Sequence, residues 1–167
     1  MRALITFGSK RGGTEGLARM IADDLRQDGL DVDVLSADRV GSLDGYDVVI
    51  VGGALYALRW HSDARRFVKR HVGLLRERPT YFFSSGPLDD SAVQRDIPPV
   101  KGVRALMAKV DARGHATFGG RLAPDAKGFP ASAMAKKQSG DWRDPGQVRD
   151  WASTIVAQLR HHPSPAR

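Results

Sequence analysis

Short apolar runs and helical repeats take turns along this chain almost from end to end. Ala3-Leu4-Ile5-Thr6-Phe7 is a compact apolar run, readable as a buried strand. From Thr14 the pattern changes: Leu17, Ile21 and Leu25 recur at four-residue spacing, which marks an amphipathic helix closed by Gly29. Val32 and Val34 alternate with aspartates, so Asp31 to Ser36 reads as a more edge-like strand. Tyr46 to Val51 is the strongest strand pattern, expected to end abruptly at Gly52-Gly53. A helix is expected from about Asp63, with Ser62 as N-cap and Phe67, Val68, Val72 and Leu75 on one face. Thr80 to Phe83 is a third buried run, and Val103, Leu106, Met107 and Val110 carry the next helix. Ala116 to Gly120 forms a last strand, and Asp144-Pro145 opens a helix with Val148, Trp151, Ala152, Ile155 and Leu159 inward. Such alternation predicts an α/β protein: one parallel sheet with helices on both faces.

The 167 residues suit one domain, expected over 1–160 with a frayed tail at 161–167. The sequence has no cysteine, which removes disulfides, thiolate metal ligands and cysteine nucleophiles from consideration. With no secretory pattern at Met1 and no long apolar span, the expected location is cytoplasmic. The formal net charge of +7 is spread along the chain without a basic run. That distribution argues against nucleic acid as a partner and leaves at most peripheral membrane contact. The histidines lack metal-ligand spacing, and Asp89, Asp90 and Asp96 read as surface acids, so no metal site is expected.

In open parallel sheets the ligand lies outside the carboxyl ends of the strands. The first such loop is Gly8-Ser9-Lys10-Arg11-Gly12-Gly13-Thr14. It lacks the Gly-Lys-[Ser/Thr] ending of a triphosphate loop and the spacing of a dinucleotide fingerprint. Its hydroxyls at Ser9 and Thr14, its glycines and its place at a helix start suit a single phosphomonoester. An ordinary glycine-rich turn with a threonine cap fits the same residues.

The order Ser9, Gly12 and Thr14 resembles the phosphate loop of the flavodoxin family, with Arg11 where that family usually has another hydroxyl. The second loop, "VIVGGALYALRWHSDARRFVKRH", is similar to the flavodoxin-like group of menaquinone-dependent protoporphyrinogen oxidases. The matching residues are Gly52, Gly53, Ala54, Tyr56, His61, Ser62, Phe67, Val68, Lys69, Arg70 and His71. The resemblance implies a flavodoxin-like, doubly wound, five-stranded parallel sheet in the order 2-1-3-4-5. It also implies an FMN-binding oxidoreductase.

Under that reading Ser9, Lys10, Arg11, Gly12, Gly13 and Thr14 hold the phosphate. Ala54 and Leu55 border the isoalloxazine, with Tyr56 or Trp60 as its flat platform. Backbone donors at Ser85 and Gly86 serve the pyrimidine edge. His61 is either a staple residue or a ligand contact. The third loop, Ser84 to Asp89, has no aromatic, which leaves one ring face uncovered and favours an enzyme over a carrier. The partner is then a small redox substrate, a quinone or a redox protein.

A deazaflavin coenzyme with an anionic tail is the alternative cofactor, addressed by Lys10, Arg11, Arg59 and Lys136. A third reading is a carrier or binding module without catalysis. The stretch from Arg121 to Trp142 is the least regular. A short helix is expected within Phe129 to Gln138, either folding over the ligand with Lys136 and Lys137 toward an anion or standing as a solvated basic helix.

Overall fold

The computed structural model describes residues 1–10, 12–128, 131–137 and 139–161, with backbone only at Lys137. Arg11, Phe129, Pro130, Gln138 and the tail beyond His161 lie outside the described residues.

The first apolar run forms β1 (Arg2–Gly8), and the helical repeat that follows forms α1 (Gly13–Gln27). Gly29 takes a left-handed φ of 91° where the chain turns into β2 (Asp31–Ser36). The third run forms β3 (Val48–Tyr56), which hairpins into a two-residue β4 (Arg59–Trp60). Then come α2 (Ser62–Arg70), α3 (Val72–Arg76) and β5 (Thr80–Ser85). The second half holds α4 (Ser91–Gln94), α5 (Lys101–Val110) and β6 (Gly114–Phe118). Last are β7 (Arg121–Leu122), α6 (Ala131–Lys137), β8 (Gly140–Asp141) and α7 (Pro145–His161).

The long strands are all parallel, in the order β2-β1-β3-β5-β6. With the short β4 counted as an arm of β3, this is the expected order. Within β1, Ala3, Ile5 and Phe7 face one helical layer and Leu4 the other, as the two-residue period of a strand requires. The first layer is α1 against α7, through Leu17, Ile21 and Leu25 with Val148, Ala152, Ile155 and Leu159. The second is α2, α3 and α5, through Phe67, Val68, Leu75, Val103, Leu106 and Val110. Each fully buried valine, leucine, isoleucine or phenylalanine of these layers contributes about 1.5–3 kcal/mol of transfer free energy.

Two local expectations need correction. β3 does not stop at Gly52-Gly53; it stays in register with β1 and β5 and runs on to Tyr56. The glycines are there for space rather than termination. A Cβ on Gly52 would collide with the Phe83 ring, and one on Gly53 would lie 2.6 Å from Trp60. At α2 the cap is His61, not Ser62: the imidazole Nδ1 accepts from the Asp63 N–H at 3.3 Å. Asp144 caps α7 as expected, accepting from the Gln147 N–H at 2.7 Å. The antiparallel pair β7–β8, which pins the two ends of the late irregular segment together, is a feature that the sequence reading did not include.

Candidate functional site

The carboxyl ends of β1, β3, β5 and β6 converge on a cleft of about 450 Å³, within the range of about 300–1,000 Å³ usual for small-molecule sites. The first loop contributes Ser9, Gly13 and Thr14 to its lining, the extended end of β3 contributes Ala54, Leu55, Tyr56 and Ala57, and the end of β5 contributes Ser85 and Gly86. Leu88 follows from the same loop, and the late segment closes the outline with Gly120, Arg121, Leu122, Ala131 and Met134.

The first loop is built by Gly12, whose φ of 77° and ψ of −9° turn the chain into α1. Gly12 makes the cap with its backbone, and its carbonyl accepts from the Gly16 N–H at 2.9 Å. The threonine therefore does not cap the helix. Thr14 is 1% exposed, lies in the first turn of α1 and lines the cleft. Its Oγ1 is buried and has no hydrogen-bond partner among the described residues. A buried hydroxyl left unpaired costs about 1–3 kcal/mol. Beside it lie the free N–H groups and partial positive charge of a helix start, which together attract an anion.

On the second wall, Tyr56 is half-buried and its hydroxyl accepts from the Lys10 N–H at 3.4 Å, which ties the β3 extension to the first loop. It is the sole aromatic lining the cleft among the described residues. Trp60 does not share that role. Its indole is 2% exposed, packs on Phe82 with ring centroids 4.9 Å apart and donates to Ser84 Oγ at 2.8 Å. Of the two aromatics expected beside a ring, Tyr56 lines the cleft and Trp60 does not. The two-residue turn between β3 and β4 reverses the chain, so the two aromatics end on different walls.

His61 sits under the first loop. A Cβ on Gly8 would lie 3.2 Å from its Nδ1, and its ring centroid is 6.0 Å from that of Tyr56. Burial lowers its pKa first, with Lys10, Arg66 and Arg65 adding to the effect and Asp63 opposing it. The side chain works as a cap and a support and does not line the cleft.

Lys10 is exposed and does not line the cleft, and Arg11 lies outside the described residues. The cation bordering the cleft is Arg121, from β7. A Cβ on Gly13 would lie 3.6 Å from the Arg121 backbone, so β7 lies directly against the start of α1. The expected short helix is present as α6, and Ala131 and Met134 bring it to the cleft, whereas Lys136 is exposed. Leu88, Arg121, Leu122 and Met134 were missing from the sequence-derived site. For Arg121, Leu122 and Met134 the signal was the unusual length of the segment after β6, while Leu88 lies in the loop after β5. No cluster of three metal-ligating side chains occurs among the described residues.

The model of the Flavodoxin domain family matches residues 4–134, most of the chain. The chain belongs to the flavodoxin-domain family. Its fold is similar to that of a flavodoxin from Streptococcus pneumoniae TIGR4, with a TM-score of 0.62 and 21% identity over 95% of this chain and 99% of that one. It is also similar to rubredoxin oxygen:oxidoreductase from Desulfovibrio gigas, with a TM-score of 0.65 and 14% identity. That match covers 96% of this chain and 36% of the larger protein. Among curated proteins, protoporphyrinogen IX dehydrogenase [quinone] of Escherichia coli K12 is 31% identical over 86 residues. The aligned part is 50% of this chain and 48% of that relative, so the chain spans about half the length of the curated relatives it matches. Within this flavodoxin domain, no helix of the described residues is long and apolar enough to cross a membrane.

Proposed function

We propose that the cleft binds FMN and that the protein is a flavin-dependent oxidoreductase related in activity to the quinone-linked protoporphyrinogen dehydrogenases. The observation that carries this is Thr14 Oγ1, buried without a partner in the first turn of α1 at a cleft of ligand size. A phosphomonoester supplies the acceptor that the hydroxyl lacks, and the open helix start stabilises its charge. Ser9, Gly12, Gly13 and Thr14 are the residues to hold it. Leu55 and Tyr56 give the ring an apolar and aromatic wall, and Ser85 and Gly86 border it from the end of β5. The Gly86 N–H donates to the Phe118 carbonyl oxygen at 3.1 Å, so the donor expected there is already used by the fold, and Ser85 ends β5 in register with Ala54 and Phe118.

Bound FMN supplies reversible one- or two-electron transfer. The chain positions the ring and keeps water from its inner face. It also offers a rim on which Arg121 favours an anionic reactant. No nucleophilic side chain is needed, and none stands in the cleft beside a histidine base among its lining residues. Leu88, Leu122 and Met134 add an aliphatic border to the cleft, on which the apolar part of a substrate would rest.

The deazaflavin alternative gains no support from the geometry: Lys10, Arg59 and Lys136 do not line the cleft. The absorbance spectrum of freshly purified protein, with mass spectrometry of the small molecule released by heat, tests the cofactor directly. Release of FMN, or saturable FMN binding by cofactor-free protein, is expected. A colourless protein whose thermal stability does not respond to FMN sinks the proposal.

A further inference from the structure

The hairpin that walls the cleft also walls a second hollow. Ala54 to Ala57 line the cleft, while Leu58, Arg59 and Trp60 line a separate groove of about 480 Å³ between α2 and α5. Its accessible apolar lining comes from Leu58, Val100 and Ala105, over the buried side chains of Trp60, Val103 and Leu106. Around that lining stand Arg59 from the hairpin, Arg65 and Lys69 from α2, and Lys101 and Lys109 from α5. No aspartate or glutamate lines the groove.

These charges are arranged without internal compensation. None of the five cations makes an ion pair among the described residues, although Arg2, Arg19, Arg26, Arg66, Arg76, Arg143 and Arg149 all do elsewhere. Arg65 and Lys69 stand four residues apart on one helix, where like charges repel. Arg65 is half-buried and anchored, its Nε donating to the Trp60 carbonyl at 3.0 Å. That bond leaves the Nη nitrogens as a fork for an oxyanion. At the rim, Ala57 and Leu58 both have positive φ, 47° and 61°, in a two-residue turn with no glycine. This strained turn leaves Leu58 76% exposed.

We infer that this groove is a binding site for a small amphipathic organic anion, with an apolar body against Leu58, Val100 and Ala105 and a carboxylate, sulfonate or phosphate among the cations. Its size falls in the small-molecule range and its concave form suits a compact ligand better than a bilayer surface. The unopposed positive lining supplies charge complementarity. This inference does not rest on the FMN reading.

The probe is 1-anilinonaphthalene-8-sulfonate, an aromatic anion, compared with its uncharged analogue N-phenyl-1-naphthylamine on the FMN-loaded protein. Saturable one-to-one binding of the sulfonate is expected, weakening with salt and stronger than binding of the uncharged analogue. In K69E/K101E, two exposed changes outside the cleft, sulfonate affinity is expected to fall about tenfold or more while FMN affinity and the circular dichroism spectrum stay unchanged. The proposal is overturned if the sulfonate does not bind, if the variant binds it equally well, or if the uncharged analogue binds as tightly. Displacement by FMN from cofactor-free protein would place the probe in the cleft and also overturn it. So would a variant that loses binding to phosphatidylglycerol vesicles yet keeps the probe, since the cations would then serve a membrane surface.

Discussion

A Cβ atom on Gly53 would lie 2.6 Å from the indole of Trp60, so the strand and the ring share a space that leaves no room for a methyl group. Trp60 is held from its other edge by the 2.8 Å bond to Ser84 Oγ and by Phe82. It cannot retreat without losing both. Gly53→Ala is therefore expected to cost about 1–3 kcal/mol through overpacking. Urea unfolding measures this as a lower midpoint at an unchanged slope. An alanine variant as stable as the parent contradicts the tight packing of this pair.

Thr14→Val separates the binding role of the hydroxyl from a structural one. The Oγ1 atom has no partner among the described residues, so its removal takes away no bond within the cofactor-free protein. Unfolding of that form is expected to be unchanged or slightly more favourable to the fold, since an unsatisfied buried group disappears. FMN affinity is expected to weaken by about tenfold to a hundredfold, in line with a hydrogen bond to a charged acceptor of about 1.5–3 kcal/mol. Fluorescence titration of FMN reads the second effect independently of the first. Equal FMN affinity in the variant removes Thr14 from the phosphate site.

Burial depresses the His115 pKa from 6.5 to about 4, against a raising effect from Asp96. Its Nε2 lies 3.0 Å from Ser84 Oγ, the same hydroxyl that receives the Trp60 N–H. The unfolded chain takes up a proton near pH 6.5 that the folded protein refuses until about pH 4. Stability from this group is thus complete above the unfolded value and is lost as pH falls through that window. The loss is on the order of 3 kcal/mol at most. His61 is also lowered, by burial first, and acts with the same sign. His115→Gln is expected to flatten the fall of the urea midpoint between about pH 6.5 and about pH 4 without abolishing it. An unchanged slope in that variant would falsify the assignment.

The parts of the fold that were readable in advance are those in which one periodicity decides burial. Leu17, Ile21 and Leu25 mark one face of α1 whatever the helix packs on, and all three are fully buried. The strand order followed from the resemblance and not from any period. Where the reading failed, a residue's role depended on a partner distant in sequence. Gly52 and Gly53 look like a strand end until Phe83 and Trp60 are known to fill the space above them. Tyr56 and Trp60 are equivalent aromatics in the sequence, and only the turn at Ala57 and Leu58 sends one to the cleft and the other to the core. The first loop, by contrast, is contiguous, so the presence of Ser9, Gly13 and Thr14 at the cleft was legible from seven neighbouring positions. Leu122 and Met134 reach the same cleft through β7 and α6, a placement that no local pattern encodes.

Gly119 sets that late placement. A Cβ there would collide with the Trp142 carbonyl oxygen and lie 2.9 Å from the Trp142 Cβ. The Trp142 N–H donates to the Gly120 carbonyl at 3.0 Å, so the chain on either side of the long segment is clamped at this point. Because the opposing atom is backbone, no rotamer change relieves the collision. Gly119→Ala is expected to part the clamp and shift β7, which lies against Gly13 and carries Arg121 and Leu122 to the cleft. FMN binding then weakens through the wall rather than through the phosphate loop. Hydrogen exchange distinguishes the two: faster exchange is expected at β7 and β8, with little change in β1, β3 and β5. Uniformly faster exchange across the central strands would instead mean that the clamp stabilises the whole sheet.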